Sequence, residues 1–502
     1  MENNKNKKVK LIQDIAILII IFLPIFFSIL SRETTNLDEI WNYNIARNIA
    51  NGLVPYKDIS MITTPFMYII EAIILKVTFN EMIVARILTA ILSTAIIFMI
   101  YKIIEKMTKN RVISAISSML VTLLCLDYFV LDYNYTVLLL ALIIIYKEIS
   151  KKSGNGLTIG ILAGLAICTK QTIGTAIAII CILEPIIINI KQRADKKEVA
   201  KNIAFRILGI LIPINILIIY LAMNGAIKGL ISYCIQGVKY FTNTISYSTL
   251  FEKYGLVIQV LAIILPIISL ASIIECIIIK KQDENTEKLK LLTIYSIPMI
   301  LTIYPIADDS HFIVAGFVTI ILLIYQLWVI GKQIEKVINQ KYKKVIEITL
   351  ATFFTLVILY EFTSITIKNI QTYDFKNINN EIAHFKYLNM PSYLKNRIEK
   401  VNNIRDSYSE SDIYILDSDA ALYDIAEEKY YKNYDMFNKG NLGKYGECGI
   451  IKQIEKAHKK YYMIRKQTIS ANWQTPTQVT KYIRDNLEEV GEVDMYEIYY
   501  KE

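Results

Sequence analysis

Charged residues are scarce in this chain of 502 residues: Asp, Glu, Lys and Arg make up 20% of it, against 54% hydrophobic residues. A soluble protein of this length carries more charge and lacks repeated apolar runs of membrane-spanning length. The six cysteines form no CxxC pair and no zinc-ligand spacing. The sequence also has no low-complexity segment and no repeat of fixed period. The composition therefore excludes an ordinary soluble enzyme and indicates an integral membrane protein.

The positive charge is placed where it sets membrane topology. Most of the formal net charge of +9 lies in short loops between apolar runs, a pattern typical of cytoplasmic loops and not of a nucleic-acid-binding surface. The first apolar run, from Leu11 to Leu30, follows several lysines and has no small-residue cleavage site after it. It is predicted to be an uncleaved first span with a cytoplasmic N-terminus.

The alternation of apolar runs and basic loops predicts about eleven transmembrane helices. Basic loops include Lys151, Lys152, Lys191, Arg193, Lys280 and Lys281. The spans are expected near 11–30, 82–104, 112–127, 133–146, 156–169, 172–190, 203–222, 254–279, 290–305, 311–330 and 345–365. Because this number is odd and the N-terminus is cytoplasmic, the first outer loop and the C-terminal domain are predicted to be extracytoplasmic.

The first outer loop is predicted to contain two amphipathic helices. The stretch 66–79 is too short to span and carries Glu71 and Lys76, so it is expected to lie at the membrane interface. A second helix is predicted to end near Ala50, with an apolar stripe that includes Ile40 and Trp41 and can rest on the membrane.

The sequence predicts two domains, a membrane-embedded one at 1–368 and a soluble α/β one at 369–502. Strand-like runs begin at Ile413, Tyr461 and Met495 in the polar tail. They alternate with helix-like runs at 420–428, 451–459 and 477–490.

Ionisable residues near a bilayer are expensive to place, and the first outer loop has the most. Asp38 and Glu39 lie in the first turn of the predicted helix, where the helix dipole favours carboxylates. From the residues alone, ordinary N-terminal helix acids remain a valid interpretation. A cation at the end of a span, such as Arg86, can equally be a membrane anchor.

Together these motifs resemble the GT-C superfamily of membrane glycosyltransferases, which includes the protein O-mannosyltransferases and the lipid A aminoarabinose transferases. The resemblance rests on an Asp-Glu pair after the first span, a Gly-x-x-Pro-Tyr turn ending at Tyr56, a Thr-Pro-Phe-x-Tyr stretch and an Ala-Arg pair at Arg86. Weaker matches are Lys170-Gln171-Thr172 and a Pro-x-x-Asp-x-x-His turn containing Asp308 and His311.

The resemblance implies transfer of a sugar from a polyprenyl-phosphate carrier to an acceptor hydroxyl on the outer face, with inversion. It implies Asp38 as general base and Glu39 as its orienting or sugar-binding neighbour. Arg86 and Lys170 are the candidates for the donor phosphate. Further substrate-binding candidates are Tyr56, Gln171, Asp308 and His311.

The expected partners are a polyprenyl-phosphate-sugar donor, membrane lipid and an envelope glycan, lipid or protein acceptor, in the plasma membrane. Neither a cofactor nor nucleic acid is expected, and the turn with Asp308 and His311 is interpreted as a polar or sugar-binding turn rather than a metal site. The alternatives are a polysaccharide polymerase or ligase, a lipid-linked sugar flippase or transporter, and a membrane scaffold without enzymatic activity.

Overall fold

The computed structural model describes residues 2–150, 155–189, 195–241, 243–279, 283–336, 340–373, 378, 381–408, 412–430, 432, 434–467 and 473–502. The basic residues Lys151, Lys152, Lys191, Arg193, Lys280 and Lys281, used above to orient the spans, lie outside the described residues.

Helices dominate the described chain. The first twelve α-helices are α1 (Glu2–Leu30), α2 (Leu37–Ala50), α3 (Phe66–Val77), α4 (Met82–Thr108), α5 (Arg111–Cys125), α6 (Tyr133–Ile149), α7 (Gly156–Thr169), α8 (Gln171–Asn189), α9 (Lys196–Met223), α10 (Ile227–Leu230), α11 (Thr249–Glu252) and α12 (Leu256–Ile278). The remaining ones are α13 (Glu284–Ile300), α14 (Asp309–Glu335), α15 (Gln340–Thr372), α16 (Ser392–Ser407), α17 (Ala420–Ala426), α18 (Gly446–Lys456) and α19 (Thr477–Asn486).

Short 3₁₀ and π segments and four strands complete the chain. A π segment spans Ile231–Gln236, and 3₁₀ turns span Gly237–Tyr240, Leu301–Ile303, Lys439–Asn441 and Gly443–Tyr445. The strands are β1 (Ile413–Ile415), β2 (Lys460–Arg465), β3 (Glu488–Val493) and β4 (Tyr496–Lys501).

A helix stands at each of the eleven predicted spans. Within the part of the chain that the structure describes, seven helices are long and apolar enough to cross a membrane: α1, α4, α8, α9, α12, α14 and α15. The chain is thus a multi-pass α-helical membrane protein. Crossing by the shorter α5, α6, α7 and α13, and with it the count of eleven, stays a prediction. At 12 residues α3 is about 18 Å long, too short to span, as predicted.

Contacts group the chain into two compact units. One comprises Met1–Ser31, Ile87–Asn215 and Thr244–Thr372, and the other comprises Arg32–Arg86, Ile216–Asn243 and Tyr373–Glu502. The first outer loop therefore belongs to the same compact unit as the C-terminal residues. The boundary between two folding domains at 368 stays a prediction.

The first unit is a helical bundle with an aliphatic core. Its buried residues come mainly from α4, α6, α8, α13 and α14. The apolar residues of α9, α12 and α15 are mostly exposed, which is the pattern of helices that face lipid.

Glycine lets α7 pack closely against α9 in this unit. Gly156, Gly160 and Gly164 recur every fourth residue, and a Cβ at Gly160 would lie 2.1 Å from the carbonyl oxygen of Arg206. Small residues at this spacing let membrane helices approach backbone to backbone. The stripe therefore fixes α7, whose C-terminal end leads into Lys170.

The second unit contains the four-stranded sheet, in the order β1-β2-β4-β3. The pair β1–β2 is parallel, whereas β2–β4 and β3–β4 are antiparallel. Strands at Ile413, Tyr461 and Met495 were predicted within one residue of their observed starts. Residues 488–490, predicted to be helical, instead begin β3, and α16 was not predicted.

The apolar stripe of α2, predicted to rest on the membrane, is instead buried inside this unit. Ile40, Trp41 and Ile45 are at most 6% exposed. The indole nitrogen of Trp41 donates to the carbonyl oxygen of Ser418 at 2.8 Å, and its ring packs edge-on against Trp473. The partner of the stripe is the C-terminal part of the chain, which comes more than 370 residues later in the sequence.

Candidate active site

Asp38 and Glu39 occupy the first turn of α2. The side chain of Asn36 caps this helix by accepting a hydrogen bond from the Glu39 amide at 3.1 Å. A capped helix N-terminus stabilises nearby carboxylates through its dipole. The local sequence thus builds a rigid, electrostatically favourable turn around the two acids.

The two neighbouring acids differ in environment. Asp38 is exposed, whereas the side chain of Glu39 is only 12% exposed. The Nε and Nη2 atoms of Arg86 donate to the two carboxylate oxygens of Glu39 at 2.8 and 3.0 Å. Glu39 is therefore held in a bidentate ion pair, which leaves Asp38 as the acid of the pair that faces solvent.

Arg86 also fixes the chain that leads into α2. Its side chain is 1% exposed, and Nη1 donates to the carbonyl oxygen of Arg32 at 2.7 Å. Nη2 makes a longer bond to the carbonyl oxygen of Glu33. The guanidinium thus positions the loop and the first turn of α2 together. A role for Arg86 at the donor phosphate stays a prediction.

Glu71 is a nearby acid whose environment the sequence did not reveal. It is 2% exposed on α3, and neither carboxylate oxygen has a hydrogen-bond partner among the described residues. Burial raises the pKa of Glu71 well above its usual value, and the charge of Glu39 adds to this effect. Glu71 lies on the side of α3 opposite to its exposed Ile70 and Ile73.

Tyr56 is buried and serves the packing of the same unit. It adopts a positive φ of 64° and donates its hydroxyl to the carbonyl oxygen of Thr63 at 2.7 Å. A Cβ at Gly229 in α10 would lie 2.2 Å from the Tyr56 carbonyl oxygen. Position 229 therefore requires glycine for α10 to pack against the turn at Tyr56. Substrate binding by Tyr56 stays a prediction.

Lys170 belongs to a separate polar cluster, in the helical-bundle unit. Its Nζ donates to the side-chain oxygen of Asn134 at 2.7 Å and lies 4.9 Å from the centre of the Tyr133 ring. Asp132 caps α6 and accepts hydrogen bonds from the Tyr135 amide and from Asn134. The sequence did not reveal Asn134 as a partner of Lys170. The one available sequence signal was Asp132-Tyr133-Asn134, an Asp-x-Asn helix cap immediately before the apolar run of α6.

Electrostatics link this cluster to the turn at Asp308. Burial lowers the pKa of Lys170 to about 8, against the opposing effect of the Asp132 carboxylate. Burial also raises the pKa of Asp132, while the charges of His311 and Lys170 act in the other direction. Lys170, Asp132 and His311 therefore share one electrostatic environment, although they are far apart in sequence.

Asp308 and His311 contact each other directly. Asp308 caps α14 by accepting from the His311 amide at 2.8 Å, and the same oxygen lies 2.8 Å from His311 Nδ1. Among the described residues, no group of three or more His, Cys, Asp or Glu side chains is placed to hold a metal ion. Gln171, the last predicted residue of this set, begins α8 and is partly buried.

The structure thus sorts the predicted residues into two groups. Asp38, Glu39, Arg86 and Tyr56 lie in the unit that contains the C-terminal sheet. Lys170, Gln171, Asp308 and His311 lie in the helical-bundle unit.

Comparisons with known proteins were decisive only for the fold. No family model matches the chain, and no curated protein sequence matches it. The crystal structure of ArnT from Cupriavidus metallidurans in the apo state aligns with a TM-score of 0.56 at 11% identity, covering 99% of this chain and 98% of that one. The same protein bound to undecaprenyl phosphate aligns with a TM-score of 0.54 at 10% identity, covering 98% and 97%.

The chain has a GT-C fold. The alignment extends over nearly all of both chains. It therefore includes the C-terminal sheet region of the present chain as well as its helices. At this level of identity the similarity establishes the fold alone.

Proposed function

We propose that this GT-C chain transfers a sugar from a polyprenyl-phosphate-linked donor to an acceptor hydroxyl on the outer face of the plasma membrane, with inversion. The observation that carries this proposal is the division between the two acids of α2. Asp38 is exposed at a helix N-terminus, and its neighbour Glu39 is held by a buried arginine. This arrangement presents one carboxylate in a fixed position, as a general base requires.

Asp38 takes the proton from the acceptor hydroxyl as that oxygen attacks the anomeric carbon of the donor sugar. The bond between the anomeric carbon and the phosphate oxygen breaks, and the lipid phosphate leaves with the electron pair. A carboxylate is strong enough for this task when proton transfer is late and the leaving group is already a stable anion. Attack from the face opposite the phosphate inverts the anomeric centre.

Glu39 and Arg86 act in this proposal by holding the first turn of α2. Their bidentate pair fixes Asp38 through the backbone of the adjacent residue. Charge-assisted bonds of this type contribute about 1.5–3 kcal/mol each when they are well formed. Loss of either partner therefore changes the position of Asp38 without removing the base.

Lys170 is the proposed contact for the donor phosphate. It is a partly buried cation, held by Asn134 and lying over an aromatic ring, at the turn between α7 and α8. A phosphate replaces part of the hydration that burial removes from the ammonium group. The donor class is supported by the ArnT structure, which was solved with undecaprenyl phosphate. Gln171, Asp308 and His311 are proposed to bind the sugar or phosphate near Lys170, and Tyr56 the substrate near α2.

The test compares the cell-envelope glycans and lipid-linked sugars of three strains: wild type, a deletion of this gene, and the deletion carrying Asp38→Asn. We expect both mutants to lack one envelope sugar and to accumulate the lipid-linked donor in the outer leaflet. Full restoration of the sugar by Asp38→Asn contradicts the proposed base. Donor trapped in the inner leaflet of the deletion strain indicates a flippase instead.

A further inference from the structure

A groove of about 1040 Å³ lies in the unit that contains the sheet, and Asp38 is not among its lining residues. Its lining includes Ile235, Lys239 and Tyr240 from one segment, and Lys444, Tyr445 and Lys452 from the region of α18. We call these six residues the lysine–tyrosine groove. None of the six belongs to the proposed active site.

Glycine contacts join the two sides of the groove into one surface. A Cβ at Gly237 would lie 3.2 Å from the Cα of Gly443, and a Cβ at Gly446 would lie 3.0 Å from the ring of Tyr240. Gly443 and Gly446 both have positive φ values, which favour glycine. The Lys444 amide also donates to the Ser232 hydroxyl at 3.1 Å. The backbone contacts show that the groove is built by the fold and is not a chance gap between side chains.

The groove is positively charged. Its three lysines are exposed, and the residues that line it include no acid. The nearest acid on α18 is Glu447, whose carboxylate accepts from the amides of Gln478 and Val479 and so caps α19. Two of the lysines lie over tyrosine rings, Lys239 at 4.8 Å from Tyr240 and Lys444 at 4.6 Å from Tyr445. Lysine beside tyrosine is the composition of a membrane–water interface.

Large apolar side chains are exposed beside these lysines. Ile235 is 67% exposed and Val238 is 48% exposed, on the segment that supplies Lys239. This segment follows α9, which ends at Met223, and α10 begins only four residues later. Four residues reach at most about 14 Å and the four-residue α10 adds about 6 Å, so the segment that begins at Ile231 starts within about 20 Å of the end of a spanning α9.

We propose that the lysine–tyrosine groove docks on the anionic phospholipid headgroups of the bilayer, with Ile235 and Val238 entering the headgroup region. The lysines supply the electrostatic attraction and the apolar side chains supply the burial, as in other interfacial segments. An acidic glycan also suits lysines and tyrosines, but it gives no use to exposed isoleucine and valine. The surface fixes α18, and with it the sheet-containing unit, against the membrane.

The test uses the full chain in lipid nanodiscs with a fluorophore on Cys448, which lines the groove and is exposed. Quenching is measured with a headgroup-labelled nitroxide lipid, in neutral discs and in discs that contain phosphatidylglycerol. We expect strong quenching in the anionic discs that weakens at high salt. Lys239→Glu with Lys452→Glu should lower the docked fraction about tenfold or more, because each cation near an anionic surface contributes severalfold.

Lys400→Glu with Lys481→Glu is the matched control, because both lysines are exposed in the same unit and the change in charge is identical. It should leave the quenching unchanged. Ile235→Ser with Val238→Ser should weaken quenching without changing the charge. Equal quenching in all variants and both lipids overturns the proposal. If dextran sulfate changes the fluorescence of the label and the nitroxide lipid does not quench it, the groove is assigned to an acidic glycan instead.

Discussion

Two chemically similar neighbours, Asp38 and Glu39, have different surroundings: Asp38 is exposed, whereas Glu39 is largely buried and paired with Arg86. Arg86 binds both oxygens of Glu39 and two backbone carbonyls of the preceding loop. Removing a partner from a buried, bidentate pair costs more than the net contribution of the pair, because the remaining charge is left without compensation. The position of Asp38 therefore depends on residues that need not touch the substrate.

This dependence predicts a non-additive double-mutant cycle. Arg86→Lys keeps the charge but loses the two-pronged geometry, and should lower sugar transfer on the order of tenfold or more. Glu39→Gln should cause a similar loss, and the double variant should lose little more than the worse single variant. The measurement is the transfer rate with purified, folded protein.

Additive losses would contradict the coupling and would favour separate roles, such as Arg86 at the donor phosphate and Glu39 at the sugar. Glu33→Gln is the control, because this exposed acid lies in the same loop and the substitution keeps the backbone carbonyl that Arg86 binds.

Lys170 predicts a pH dependence of donor binding. Burial lowers its pKa to about 8, so the ammonium form, which is the form proposed to bind phosphate, is lost as the pH rises above that value. The charged fraction falls about tenfold for each further pH unit, and the KM for the donor should rise in proportion. Lys170→Arg should abolish this rise, because arginine stays protonated. If the rise in KM persists in Lys170→Arg, Lys170 is not the phosphate contact.

The sequence singled out Asp38 and Glu39 as site candidates but did not predict the contacts around them. Asp38, Glu39 and Arg86 could be singled out because the motif around them resembles that of a known family, and their role in an active site stays a prediction. The bond between Arg86 and Glu39 joins residues 47 positions apart, and the bond between Lys170 and Asn134 joins residues 36 positions apart. The burial of Glu71 was hidden for the same reason. Such pairings depend on which helices pack against each other. A single sequence does not specify these packing partners.

At the scale of elements, the positions of helices were predicted reliably where long apolar runs specify them. The surfaces that each helix packs against were not predicted. The stripe on α2 is correctly apolar, but an apolar stripe can be covered by lipid or by protein, and here Trp41 binds the Ser418 carbonyl. β3 was predicted as helix because Glu488 and Glu489 are poor strand formers. The strand forms because its backbone pairs with β4, with a bulge between Glu489 and Gly491.

The glycine stripe of α7 gives a prediction at this scale. Gly160→Ala should destabilise the protein by about 1–3 kcal/mol, because the new methyl group meets the backbone of α9 rather than a movable side chain. Gly331→Ala is the control, because a Cβ there meets nothing within 4 Å. It should be neutral or stabilising by up to about 1 kcal/mol in a helix. Thermal unfolding in detergent measures both variants, and equal midpoints would show that α7 and α9 can separate without cost.

At the scale of the whole molecule, the GT-C fold was foreseen from motifs that cover only a small part of the chain. The eleven predicted segments are all helical, although only seven in the described chain meet the length and hydropathy of a clear span. The composition of a segment indicates that it is helical and apolar. Whether a helix of 14–17 residues such as α7 or α13 crosses the bilayer depends on its tilt and neighbours.

An odd number of crossings after a cytoplasmic N-terminus predicts that the C-terminal sheet lies outside the cell. A Lys481→Cys substitution in a Cys448→Ser background places one exposed thiol on α19. An impermeant maleimide should label it in intact cells. Labelling only after lysis would place the sheet in the cytoplasm, and the proposed outer-face chemistry would then be wrong.

The most direct test of the central claim is sugar transfer by the purified chain from a polyprenyl-phosphate-linked donor, comparing wild type, Asp38→Asn and Glu33→Gln. General-base catalysis contributes about 10²–10⁴-fold, so Asp38→Asn should lose at least about 100-fold in rate while its thermal midpoint and donor affinity are retained. Glu33→Gln should transfer at the wild-type rate. Transfer by folded Asp38→Asn at a rate close to wild type would contradict the account.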